Sequence, residues 1–204
     1  ASGAITPLPK RSVDTGAGLE RLTAILEGAT NNFDTDLFRP IVDEIETLTG
    51  RKFSGNMAVE DAPFRVVADH VRAATMLISD GVLPSNEGRG YVLRRIIRRA
   101  LRYARRLSVD FSVPFLSQLV TGVVEVFRGV YFDTGKPGWP ETERSISSTL
   151  EDEEGRFAKT MSEGVDRVGE ELGRVRRQGG AQIPGESVFR FYDTYGIPLE
   201  IIEE

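Results

Sequence analysis

The chain has 204 residues, 40% of them hydrophobic and 28% charged, ordinary globular values that leave room for one large domain or two small ones. Its net charge of −5 does not exclude a polyanionic partner: residues 1–139 carry 18 basic and 16 acidic side chains, residues 140–204 carry 8 and 15, and such partners respond to the local patch. The lack of cysteine excludes disulfides and thiolate zinc sites and fits a cytoplasmic protein.

No apolar run approaches the roughly 20 residues of a membrane span. The opening ASGAITPLPKRSVD lacks the apolar core of a signal peptide, and both ends read as cut from something longer. Two prolines keep residues 5–13 out of a helix and point to an extended segment. A helix is expected over residues 18–28, with Leu19, Leu22, Ile25 and Leu26 on one face. The next runs from 35 or 36 to a Thr-Gly stop at 50, its apolar residues keeping the 3–4 spacing. Further helices are expected over 63–80, with Pro63 in the first turn, over 87–106 and over 114–127. Residues 132–140, FDTGKPGWP, form a turn-rich loop. A long helix follows over 141–177. In it Phe157, Met161, Val165, Val168, Leu172 and Val175 step by 4, 4, 3, 4 and 3, close to a coiled-coil seam. RRQGGAQIPG breaks the chain before a short helix over 186–192.

Two stretches carry chemistry. GYVLRRIIRRALRYARR, residues 90–106, holds seven arginines and no acid. On a helical wheel Val92, Leu93, Ile96, Ile97, Ala100, Leu101 and Ala104 form one face, and Arg94, Arg95, Arg98, Arg99, Arg102, Arg105 and Arg106 the other. A solvated face is the plainest explanation, but solvated helices usually alternate signs, because like charges at i,i+4 repel. Two destinations remain open: the acidic tract Glu151, Asp152, Glu153, Glu154, or an anionic partner whose phosphates suit the planar guanidinium. The second stretch is VDTGAGLERL, residues 13–22. Gly16 and Gly18 lie between an extended segment and a helix start, where backbone can approach a ligand closely. Arg21 can reach a phosphate and Asp14 an ammonium group. A lone G-x-G is more often a tight turn, and neither G-x-G-x-x-G nor a P-loop is present.

With VDTGAGLERL, the stretch RVVADHVRAATMLISDGVLPSNEGRGYVLRRIIRRALRYAR and FRFYDTYGIP taken together, the chain resembles the alanyl-tRNA synthetases, a family of class II aminoacyl-tRNA synthetases. The resemblance runs from about Ile5 to the C-terminus. It implies a mainly α fold: a helical tRNA-recognition domain with a long amphipathic helix at 29–204, preceded at 1–28 by the last strand and helix of the antiparallel catalytic sheet, with motif 3. It implies that Asp14 and Gly16 bind alanine, that Gly18 and Arg21 bind ATP, and that Asn86 and Asp193 read a G·U wobble pair in the acceptor stem of tRNA(Ala). Arg94, Arg95, Arg98, Arg99 and Arg102 would hold the flanking phosphates. The partners implied are this tRNA, alanine and ATP with Mg2+, and neither DNA nor a membrane.

An amide and a carboxylate suit the wide, shallow minor groove of A-form RNA. Class II motifs 1 and 2 lie outside this sequence, so the chain alone is not expected to form alanyl-adenylate. One histidine and no cysteine cannot build the family's zinc-bearing editing domain. A non-enzymatic RNA-binding module that kept the recognition surface is the alternative. His70 and Trp139 are expected to be packing residues, and Tyr91 and Tyr103 to pack while flanking the arginines.

Overall fold

In a computed structural model, the structure describes residues 15–56, 58–110, 112–135 and 138–193, with the isolated positions 7, 9, 10, 12, 197, 199 and 202. Most of the segment expected to be extended, 5–13, lies outside these residues. Among them there is no strand, only an isolated bridge between Arg128 and Phe132.

Among the described residues the α-helices are α1 Leu19–Glu27, α2 Arg39–Thr49, α3 Ala62–Ser79, α4 Gly88–Arg105, α5 Val120–Phe127, α6 Trp139–Arg177 and α7 Gly185–Asp193. The helix expected over 114–127 begins instead as a 3-10 turn, Leu116–Leu119, that feeds α5. Trp139 opens α6 where a loop was expected. Pro140 needs no N–H donor in the first turn of a helix. The 39 residues of α6 span roughly 58 Å.

The core lies where α3, α4 and α6 meet, closed by α2 and α5. Phe64, Val67 and Val71 of α3, Leu93, Ile97 and Leu101 of α4, and Ile146, Leu150 and Phe157 of α6 are fully buried. The apolar stripe of α4 is narrower than the wheel implied: Val92 is 54% exposed and Ile96 half-buried. The later stripe of α6 likewise leaves Val165 exposed, because no long helix runs beside it.

Buried polar groups fasten the connections. Glu46, on α2, accepts from Phe53 N at 2.9 Å, Lys52 at 2.6 Å and Arg39 at 3.0 Å. Burial raises its pKa, but these three donors outweigh that and hold it below the ordinary carboxylate value. Glu154 accepts from the backbone N–H groups of Phe115 and Leu116 at 2.8 and 3.1 Å, so α6 pins the start of the α5 segment.

α1 stands at the edge of this body. Only Ala24 of its nine residues is buried, and the face of Leu19, Leu22, Ile25 and Leu26 is exposed. It is tied to α3 by Glu20 and Arg72, 2.7 Å apart, and the Arg72 guanidinium lies 4.0 Å over the Phe38 ring.

Candidate nucleic-acid interface

Residues 83–90 fold back on the start of α4. The Ser85 hydroxyl donates to the Glu87 carbonyl at 2.8 Å. Gly90 lets the turn close: a Cβ at this position would lie 2.3 Å from the Leu83 carbonyl oxygen and from Ser85 Oγ. Asn86 is thereby held exposed ahead of the helix, and the Arg94 guanidinium donates to its Oδ1.

The arginine face divides in two. Along its inner edge Arg94 and Arg98 converge on Glu153 of α6, which is 1% exposed. Arg98 Nε donates to Oε1 at 2.8 Å, and Arg94 Nε lies 3.3 Å from the same oxygen. Glu153 Oε2 and Arg94 Nε have no hydrogen-bond partner among the described residues. Along its outer edge Arg95, Arg99 and Arg106 are exposed and form no salt bridge among the described residues, although Asp69 acts on Arg99 through space; Arg105, also exposed, lies on the side of Arg94 and Arg98, facing α6. Arg102 is half-buried. Tyr91 and Tyr103 sit under this edge, Tyr91 5.8 Å from Arg95 and Tyr103 5.9 and 5.0 Å from Arg99 and Arg106. Among the described residues, the salt bridges of this face thus run from Arg94 and Arg98 to a single acid. Glu154 turns to the Phe115 backbone, and Glu151 and Asp152 face solvent.

In the second stretch, Asp14 lies outside the described residues. Gly16 is exposed, and a Cβ there would meet nothing within 4 Å. Gly18 takes φ +78° at the N-cap of α1, where no side chain caps the helix, and exposed Arg21 stands one turn in with its stem beside Gly18. At this end the Glu20 carboxylate accepts from its own backbone N–H, which holds its pKa below the ordinary value.

Asp193 is the last residue of α7, and its side chain lies outside the described residues. α7 is fastened to α6 by the Ser187 hydroxyl, which donates to Glu171 Oε1 at 2.7 Å. Glu171 is also gripped by Arg174, and these two donors hold its pKa at about 2. Beyond α7 the chain returns to α6 at Ile197, buried against Gly164. An open groove of about 410 Å³ between the two helices is lined by Arg167, Arg174, Arg177 and Arg190 among others. Sequence reasoning passed over these arginines, although Arg174 and Arg177 lie in the RVRR run at the end of the long helix and Arg190 lies inside FRFYDTYGIP. Glu153 was named as one of four acids the arginines could meet, and the structure selects it from the tract.

His70 is half-buried, its Nδ1 2.9 Å from Asp69 Oδ2, and Trp139 packs on the Phe132 ring at 5.1 Å. Among the described residues no group of three or more His, Cys, Asp or Glu can hold a metal ion, and no helix is long and apolar enough to cross a membrane.

Comparison with known proteins gives a consistent result. The family described as tRNA synthetases class II (A) matches residues 1–204. Among curated relatives, "Alanine--tRNA ligase" of Bacillus pumilus is 45% identical over 202 residues, and those of Geobacillus thermodenitrificans and Oceanobacillus iheyensis are 46% identical. Each alignment covers 98–99% of this chain and 22% of the relative, so the chain spans about a fifth of the length of the curated relatives it matches.

Proposed function

The chain belongs to the class II (A) tRNA synthetases, and from that premise we propose that it is the tRNA-recognising segment of an alanine–tRNA ligase. The observation that carries the reading is the outer edge of α4. Three exposed guanidiniums, Arg95, Arg99 and Arg106, that form no salt bridge with a described carboxylate stand in one row, directly after the turn that presents Asn86. Such a row fits a phosphate backbone, which needs regularly spaced positive charge and no deep cavity.

In this reading the boundary at residues 28 and 29 separates a catalytic end from a recognition domain. Asn86 and Asp193 read a G·U pair through the minor groove. Arg94, Arg95, Arg98, Arg99 and Arg102 form the basic face against the stem. Asp14 and Gly16 belong to the alanine site. Gly18 and Arg21 face ATP, with Arg21 and the α1 N-terminus stabilising phosphate charge. The whole protein would join alanine to ATP as alanyl-adenylate and pass the alanyl group to the 3′ end of tRNA(Ala), in the cytoplasm. The described residues assign no magnesium ligand.

The test is a salt titration. Binding of an RNA acceptor stem should weaken by about 0.7–0.9 log unit per tenfold rise in salt for each phosphate neutralised, and Arg95→Gln with Arg99→Gln should flatten that slope. A slope that is shallow and the same in both proteins refutes the reading.

A further inference from the structure

Arg94 lies on the arginine face by sequence but not by environment. Its side chain is only 18% exposed, it stands beside buried Glu153, and it spends a donor on Asn86 Oδ1. We propose that the Glu153–Arg94 pair is a positioning device for Asn86: it fixes the side-chain amide so that Asn86 meets the base pair through Nδ2, as a hydrogen-bond donor. The inference rests on the reading of Asn86 given above.

An asparagine amide offers two donors on Nδ2 and an acceptor on Oδ1, and a free amide in an exposed turn can present either end. Arg94 has five N–H donors and no acceptor, so it can bind only the oxygen. With Oδ1 taken, the Nδ2 hydrogens point away from Arg94, to the open side of the turn. The guanidinium can hold that oxygen only if it is itself held. Glu153, 59 residues later on α6, does this as an ion pair 3.3 Å from Arg94 Nε, with Arg98 on the same carboxylate oxygen. A lysine at 94 can neutralise Glu153, but its compact ammonium cannot form a planar fork between Glu153 and Asn86. Asp193, ionised, can only accept, so the two readers would supply one donor and one acceptor to the groove.

A phosphate anchor and a positioning residue differ in what they change. The experiment measures binding of the 204-residue chain to two acceptor stems, identical except for G·U or G·C, across a salt series. Arg94→Lys and Glu153→Gln should lower the preference for G·U as Asn86→Ala does, by about 5- to 150-fold, and leave the salt slope unchanged. Arg94→Lys added to Asn86→Ala should lower it no further. Arg95→Gln should do the converse, reducing the slope and sparing the preference. Arg94→Lys keeps the charge beside Glu153, so it decides the matter even where Glu153→Gln unfolds. If Arg94→Lys preserves discrimination, the inference is overturned, and the reading of Asn86 survives provided Asn86→Ala still loses it. If Asn86→Ala leaves discrimination intact, the underlying reading fails instead.

Discussion

Gly90→Ala pits two effects of similar size against each other. Alanine in a helix interior is favoured over glycine by about 0.8–1.0 kcal/mol. Against this, the new Cβ would sit 2.3 Å from the Leu83 carbonyl oxygen, and reaching even 3.0 Å requires about 0.7 Å of movement. Ser85 Oγ can rotate away. A backbone carbonyl cannot, so the whole turn must shift, at the roughly 1–3 kcal/mol typical of overpacking. Gly155 supplies the control: it lies within α6, and a Cβ there meets nothing within 4 Å. Gly90 lies in the first turn of α4 and Gly155 mid-helix, so up to about 1 kcal/mol of their difference belongs to position and the remainder to the clash. Gly155→Ala should raise Tm by about 2–4 °C for its roughly 1 kcal/mol. Gly90→Ala should melt below it by about 2–12 °C, which is 1–3 kcal/mol on the same scale. Because the displaced turn carries Asn86, Gly90→Ala should also lose G·U preference in the two-stem assay, which Gly155→Ala should keep. Equal melting and equal stem preference in the two variants would refute the argument.

Arg72→Ala removes both the ion pair to Glu20 and the guanidinium over Phe38; hydrogen exchange should show α1 amides exchanging at least tenfold faster, with the α3 and α4 core unchanged. Glu171 has a folded pKa of about 2, below its ordinary 4.5, so its contribution to α7 docking is complete above pH 4.5 and is lost as pH falls towards 2. α7 exchange should therefore accelerate across that window, and Glu171→Gln should remove the pH dependence. Gly164→Leu places a side chain where even a Cβ lies 3.0 Å from Ile197, so it should unseat Ile197 and weaken G·U preference while sparing the salt slope. The 204-residue chain should show no alanine-dependent ATP–pyrophosphate exchange, and exchange above background would move the active site into it.

Helices were legible wherever an apolar stripe at 3–4 spacing finds a partner, as in α2, α3 and the first half of α6. They were misread where local rules compete. Trp139 precedes a proline, which ordinarily disfavours helix, yet the pair opens α6 because the first turn tolerates proline. The 157–175 stripe mimics a coiled-coil seam. Its neighbour is the nine-residue α7, so only part of it is covered and Val165 is exposed. Which arginines are internal was not legible. Adjacent residues on a helix point about 100° apart, so Glu153 faces α4, Glu154 faces the Phe115 backbone, and Glu151 with Asp152 face water. That assignment follows from how α6 crosses the body, which no local pattern in the acidic tract records.

The candidate readers are 107 residues apart in sequence, yet both are tethered to α6. Asn86 is held through Arg94 at the level of Glu153, and the chain beyond Asp193 is held by Ile197 at Gly164. Eleven residues separate the two tethers, close to three turns, so they lie on one face of α6 and roughly 16 Å apart along it. α7 is fastened at its first turn to Glu171, seven residues further on, and the chain then comes back to Gly164. Ile197 is thus seated nearer to Glu153 along α6 than Ser187 is. Under the proposed reading, the long helix is the ruler that sets the reach between a donor and an acceptor. Its buried stripe of Glu153, Phe157, Met161 and Gly164 keeps that reach fixed, because each of these positions is packed.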